Sequence, residues 1–174
     1  MRWEAESRTG TELAARDVER AAAAGRAIGI SGVELGEAEE SRAARPDHPK
    51  REAAKNIRGL LAPAANVIAL DENGTPMTSR SLATELGRAR DQGLASAAFV
   101  IGGPDGLEPA FLASASLTLS FGAMTWPHQL VRIMAAEQIY RAAAILSGHP
   151  YRRDQFANLP VSCRGGAIFL CWMA

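Results

Sequence analysis

Few cysteines occur in this sequence, and their spacing does not indicate a metal site. The chain has two, Cys163 and Cys171, both close to its carboxyl terminus. Structural zinc sites use pairs of Cys and His at recurring short spacings, which these two residues do not form. A disulfide between them would be unusual in a reducing compartment. We therefore expect a protein without a metal and without a disulfide framework.

Long apolar runs are also missing. No stretch approaches the ~18–20 consecutive apolar residues that are needed to cross a bilayer. The first residues, MRWEAESRTG, lack the apolar segment of a secretion signal. The sequence therefore predicts a cytoplasmic protein that does not enter a membrane.

An excess of charge of one sign is absent as well. The 19 Lys and Arg residues balance 19 Asp and Glu residues, so the formal net charge is zero. Nucleic-acid binding therefore cannot be argued from bulk charge and would need a local basic patch. One dense basic cluster is present, made of Arg42, Arg45, Lys50, Arg51, Lys55 and Arg58. It is either a solvated helix face or a phosphate contact.

What the sequence does contain indicates one globular domain with a parallel sheet. Of its 174 residues, 47% are apolar and 22% are charged, as is typical of folded soluble domains. Apolar strand-like runs cover residues 66–70, 97–101 and 117–121, with a weaker strand at 33–35. Helices are predicted over 11–27, from 50 to 61, from Thr78 or Ser79 to Gly93, over 108–116 and over 129–147. This alternation predicts helices on both faces of a parallel sheet, with ligands at the carboxyl ends of the strands.

The last predicted helix is apolar around most of its circumference. Pro127 suits its first turn, and Gly148 followed by His149-Pro150 is a stop signal. Its apolar residues are Val131, Ile133, Met134, Ile139, Tyr140, Ile145 and Leu146. Because each residue of a helix is rotated by ~100° from the one before, these positions leave no side of the helix that is polar enough to face solvent. We therefore expect the sheet to cover one side of this helix and a second copy of the chain to cover the other.

A glycine-rich loop, GGPDG, follows the strand predicted at 97–101. It keeps only part of the glycine pattern of dinucleotide-binding loops and lacks the Lys of a P-loop. Asp105 also places an anion where a pyrophosphate would lie, so phosphate binding is disfavoured. The loop suits a neutral base and a ribose, or a ligand with a positive centre. The alternative is a tight turn that binds no ligand.

Four motifs in this order resemble a known enzyme family. They are IGGPDGL, LTLSFGAMTWPHQLVR, EQIYRAAAI and HPY, and the resemblance is close over residues 67–153 and looser over 11–61. The family is that of the SPOUT-class large-subunit ribosomal RNA methyltransferase H enzymes. The resemblance implies an α/β SPOUT-like knotted fold, with a mostly parallel sheet, helices on both faces and a carboxyl-terminal trefoil knot. It also implies a homodimer that uses S-adenosyl-L-methionine, and no metal, to methylate N(3) of a pseudouridine in helix 69 of 23S rRNA in the assembled ribosome.

The same resemblance assigns roles to particular residues. It places the cofactor pocket at Leu70, Gly102, Phe121, Gly122, Ala123, Met124, Thr125 and Trp126. The candidates for holding the target uridine are His149, Tyr151 and Arg153, with Tyr151 to stack on or hydrogen-bond the base and Arg153 to stabilise a developing anion. Without the resemblance, Met124 and Trp126 fit ordinary core packing, and the HPY motif fits a helix-ending turn.

Three features depart from the family pattern. Residues 1–10 lack the apolar first strand that lies inside the family's sheet, and Arg152 stands where the family has His. Residues 154–174 extend beyond a single domain over residues 1–153, and we expect them to be poorly ordered. One alternative is therefore a catalytically impaired homologue that still dimerises or binds ribosomes. A second alternative is a Rossmann-type nucleotide-binding oxidoreductase, against which the incomplete glycine pattern counts.

Overall fold

A computed structural model describes residues 2–38, 48–62, 65–94, 96–103, 106–148 and 166–173. The helices are α1 (Arg2–Arg26), α2 (His48–Leu60), α3 (Ser79–Asp91), α4 (Pro109–Ser114) and α5 (His128–Ser147). The strands are β1 (Ile30–Ala38), β2 (Asn66–Pro76), β3 (Ser96–Ile101), β4 (Leu117–Ser120) and β5 (Gly166–Met173). None of the described helices is both long enough and apolar enough to span a membrane.

The strands form one five-stranded sheet in the order β1-β5-β3-β2-β4, and each recorded pairing is parallel. Residues of β2 alternate between its two faces, as the pleat of a strand requires. Ile68 and Leu70 lie in a core shared with α1, α3 and α5, whereas Ala69 packs with Ile57 of α2 and Phe111 of α4. Helices therefore cover both faces of the sheet, and the predicted parallel α/β architecture is confirmed.

Several predicted element boundaries are confirmed by the capping contacts. Thr78 caps α3, because its Oγ1 accepts a hydrogen bond from the Ser81 backbone N–H at 3.1 Å. Pro127 precedes the first turn of α5, and Gly148 ends that helix in the left-handed conformation with φ +69°. The prediction for α1 was too short, since the helix begins at Arg2 and includes residues for which no element was predicted.

The cover of α5 comes in large part from helices of the same chain. Arg20 of α1 donates to the hydroxyl of Tyr140 at 3.1 Å, and its guanidinium carbon lies 4.2 Å from the centre of that ring. On α3, Ser79 Oγ donates to Gln138 Oε1 at 2.7 Å. α1 and α3 therefore cover part of the apolar surface of α5 for which we had expected a second copy of the chain.

The carboxyl-terminal segment corrects one prediction. We expected residues 154–174 to be poorly ordered, and this is wrong for Gly166–Met173, which form β5 between β1 and β3. β5 pairs with eight residues of β1 and six of β3, and Ile168 is only 5% exposed. An apolar run without charges suits an interior parallel strand, which is buried on both faces. An interior strand of this sheet is thus contributed by the carboxyl-terminal end of the chain.

Candidate functional site

A cavity of about 500 Å³ lies beside residues 70–72 of β2 and at the carboxyl ends of β3 and β4. Its size falls within the ~300–1,000 Å³ that is usual for small-molecule sites. The loops after Ile101 and Phe121 contribute to it, as predicted for a parallel sheet, whereas the residues after Leu70 contribute from within β2. The lining consists of Leu70, Asp71, Glu72, Ile101, Gly102, Gly103, Gly106, Leu107, Leu119, Ser120, Phe121, Gly122, Met124, Thr125, Trp126, Pro127, His128 and Val131.

The structure brings together seven of the eight residues that the family resemblance assigned to a cofactor. Leu70, Gly102, Phe121, Gly122, Met124, Thr125 and Trp126 line the cavity, whereas Ala123 is exposed and outside the lining. The three residues assigned to the target uridine, His149, Tyr151 and Arg153, lie outside the described residues. Their assignment therefore stays a prediction.

A bulge in β2 forms one wall of the cavity. The sequence DENG predicted a turn at residues 71–74, but the strand resumes after it, so that Leu70 and Thr75 both pair with Leu119. Within the bulge, Asp71 Oδ1 accepts the backbone N–H of Asn73 at 2.9 Å. A Cβ atom at Gly74 would lie 2.7 Å from the carbonyl carbon of Leu119, so only glycine fits against β4. The bulge is thus pressed against β4.

The glycine-rich loop forms a second wall and is also a tight turn. The Gly106 backbone N–H donates to the Gly103 carbonyl at 2.9 Å, and a Cβ atom at Gly102 would lie 2.8 Å from the carbonyl carbon of Gly106. The loop is therefore a tight turn, and its glycines also line the cavity, so that ligand binding by this loop stays a prediction.

The loop between β4 and α5 supplies an apolar wall that is open to solvent. Met124 is 69% exposed and Trp126 is 39% exposed, although both border the cavity. Ordinary core packing, the alternative for these two residues, is wrong because core side chains are not accessible to this extent. Large apolar surfaces around a cavity are suited to cover the faces of a flat ligand.

The charged groups of the lining are acidic. Asp71 and Glu72 carry carboxylates, His128 is the one other titratable side chain, and the described lining contains no Lys or Arg. This arrangement disfavours a phosphate and suits a ligand with a positive centre, as the glycine-rich loop had indicated. We did not single out these three residues from the sequence. For Asp71 and Glu72 the signal was their position directly after the buried part of a strand.

Outside the cavity, Arg58 and Arg141 have structural contacts. Arg58 donates to Ser114 Oγ at 3.2 Å and lies 5.4 Å from the ring centre of Phe111, so it joins α2 to α4. Arg141 pairs with Glu137 one turn earlier on α5, with Nε 3.0 Å from Oε1. Among the residues that the structure describes, no group of three potential metal ligands occurs.

The fold and the cavity define the protein as a parallel α/β protein with a cavity of small-molecule size beside its central strands. Residues 11–152 match a family model described as predicted SPOUT methyltransferase. A Beijerinckia indica protein named ribosomal RNA large subunit methyltransferase H is 59% identical over 142 residues, which are 82% of this chain and 89% of that protein. Proteins of the same name from Methylocella silvestris and Sinorhizobium fredii are 54% and 50% identical, over 83% and 82% of this chain and 90% and 89% of theirs. The chain therefore belongs to the SPOUT methyltransferases and, within them, to the family of ribosomal RNA large subunit methyltransferase H.

Proposed function

We propose that the protein transfers a methyl group from S-adenosylmethionine to N(3) of a pseudouridine in helix 69 of 23S rRNA, in the assembled ribosome. The observation that carries this proposal is the convergence of the assigned cofactor residues around one cavity, beside the β2 bulge and at the carboxyl ends of β3 and β4. The relatives' shared name supports ribosomal RNA of the large subunit as the substrate. The pseudouridine and helix 69 follow from the family resemblance.

The described residues fit the proposed cofactor. S-adenosylmethionine, when bound, supplies a methyl group activated by a positively charged sulfur. Leu70, Met124 and Trp126 offer apolar surface to the adenine, while Gly102 and Gly122 let backbone amides and carbonyls approach its edge. The carboxylates of Asp71 and Glu72 complement a positive charge. The same carboxylates count against a dinucleotide, and so against the oxidoreductase alternative.

The proposed reaction requires little chemical assistance from the protein. An activated methyl carbon needs an aligned nucleophile, so the protein mainly has to position the base and help remove a weakly acidic imide proton. We assign the base to His149, Tyr151 and Arg153, which follow the end of α5 at Gly148. Tyr151 would stack on or hydrogen-bond the base, and Arg153 would stabilise the anion that forms as the proton leaves.

A homodimer is part of the proposal, as are a trefoil knot and a cytoplasmic location. Met124, Trp126 and Leu130, which is 46% exposed, present large apolar side chains on the loop before α5 and on its first turn. Exposed apolar patches of this kind often mark protein interfaces, and a second copy of the chain would cover them. The cytoplasm is where an enzyme meets assembled ribosomes.

The test combines a binding assay with a methylation assay. Calorimetry measures binding of S-adenosylmethionine, and methyl incorporation from labelled cofactor is measured with free 23S rRNA and with intact ribosomes lacking the modification. We expect binding and incorporation at N(3) with ribosomes. Cofactor binding without incorporation would favour the impaired homologue, for which Arg152 in the family's His position is the motivating observation. Binding of nicotinamide dinucleotide instead would overturn the proposal.

A further inference from the structure

Ser120 lies between two walls of the cavity. It is the last residue of β4, it is 6% exposed, and it belongs to the cavity lining. One of the two walls is the β2 bulge that carries Asp71 and Glu72. The other is the loop at residues 122–127, which carries Met124 and Trp126.

The hydroxyl of Ser120 contacts the backbone of both walls. Ser120 Oγ lies 3.2 Å from the Glu72 carbonyl oxygen and 3.0 Å from the Gly122 carbonyl oxygen. It also accepts the Gly122 backbone N–H at 3.2 Å. Because a hydroxyl has one proton and two lone pairs, it donates to one of these carbonyls at a time while it accepts from the amide. The buried hydroxyl therefore ties the start of the loop to the bulge.

The loop has a glycine at the point where this hydroxyl contacts it. Gly122 has φ +114°, a conformation that favours glycine, and a Cβ atom placed there would have no neighbour within 4 Å. Because residue 122 has no side chain to fix the backbone, the hydrogen bonds with Ser120 and the packing of Phe121 against the core together set the direction in which the loop leaves β4. That direction determines where the apolar wall lies relative to the acidic bulge.

We infer that Ser120 is a positioning residue for the cofactor, whose hydroxyl sets the spacing between the acidic bulge and the apolar loop and thereby controls cofactor affinity. This inference rests on the proposed function, since it assumes that S-adenosylmethionine occupies the cavity. It assigns Ser120 no contact with the reacting atoms. Its expected signature is a change in cofactor binding that is separate from any change in stability or turnover.

The experiment compares Ser120→Ala and Ser120→Thr with the control Ser79→Ala, which removes a serine hydroxyl bond to α5 at a site that does not line the cavity. For each protein, calorimetry gives the dissociation constant for S-adenosylmethionine, and kinetics give kcat and the KM for cofactor and for RNA. In Ser120→Ala we expect the dissociation constant and the KM for cofactor to rise about three- to tenfold, because a buried amide and a carbonyl lose their partner. The value of kcat at saturating cofactor and the KM for RNA should not change. Ser120→Thr keeps the hydroxyl and should bind as the wild type does, as should Ser79→Ala.

Two results would overturn the inference while leaving the proposed function intact. One is a folded Ser120→Ala protein with wild-type cofactor affinity, and the other is an equal loss of affinity in Ser120→Thr. If Ser120→Ala does not fold, Ser120→Cys serves in its place, since a thiol is a weaker hydrogen-bonding group and should give a smaller rise. A wild-type protein that binds no S-adenosylmethionine would instead overturn the proposed function, and this inference with it.

Discussion

Removing β5 should abolish the folded state, because β5 is the strand that links β1 to the rest of the sheet. Among the described residues, β1 pairs with β5 alone, over eight positions, and β3 pairs with β5 over six. A chain that ends at residue 165 leaves these backbone groups without their partners. Each buried unsatisfied group costs about 1–3 kcal/mol. A handful of them equals the total stability of a typical domain, about 5–15 kcal/mol.

A milder change measures the same contribution in a protein that still folds. Ile168→Ala truncates a side chain that is 5% exposed in the main core, which should cost about 2–5 kcal/mol. For a domain of this length the thermal midpoint should then fall by roughly 10 °C. The matched control is Leu60→Ala, at a position that is 47% exposed, for which we expect a change below about 0.5 kcal/mol.

Circular dichroism during thermal unfolding is the appropriate assay for all three proteins. The chain ending at residue 165 should show no cooperative transition, and Ile168→Ala should lie between that chain and the wild type. A cooperative transition near the wild-type midpoint in the truncated chain would refute the reasoning. So would equal effects of Ile168→Ala and Leu60→Ala, because the strand would then contribute no more than an exposed residue does.

Three further predictions concern the cavity. Gly74→Ala should lower the free energy of unfolding by about 1–3 kcal/mol and weaken cofactor binding, because the added methyl group would meet the β4 backbone. Thermal unfolding and calorimetry check this prediction, and an unchanged thermal midpoint would contradict it. Glu72→Gln should raise the dissociation constant for S-adenosylmethionine about two- to fivefold, and raise less the constant for S-adenosylhomocysteine, whose sulfur is uncharged. The difference between the two ligands should become smaller at high salt. Equal effects on both ligands would exclude a charge interaction. Trp126→Ala should weaken cofactor binding about three- to tenfold without loss of stability, whereas Leu94→Ala, another partly exposed apolar position, should leave binding unchanged.

The elements that could be predicted from sequence are those defined by local signals. The Thr78 cap of α3, the Gly148 terminus of α5 and the apolar run of β3 each depend on residues that are neighbours in the chain. The assigned cofactor residues likewise come from one loop and two strand ends, so their motifs were sufficient to bring seven of the eight to the cavity. Local signals failed where the partner is distant in sequence.

Two errors illustrate that failure. The DENG sequence is typical of a turn, but the pairing of Thr75 with Leu119 returns the chain to the sheet, and nothing within residues 71–74 encodes that partner. The apolar carboxyl terminus was interpreted as a poorly ordered extension, because its pairing with β1 and β3 depends on an open interior position that no short window of sequence reveals. In both cases a long-range strand pairing decided the conformation, as is usual for β-structure.

The position of β5 connects this carboxyl-terminal strand directly to the cavity. Residues 166–173 lie outside the region that matches the SPOUT methyltransferase family, yet Trp172 pairs with Ile101, the residue immediately before the glycine-rich loop. β3 is held between β2 and β5, so a substitution that weakens β5 without unfolding the protein would loosen one side of the strand that leads into Gly102. Because a strand with weaker support on one side opens locally more often, such substitutions should lower cofactor affinity as well as stability. A strand outside the family match therefore supports the strand that leads into the glycine-rich loop.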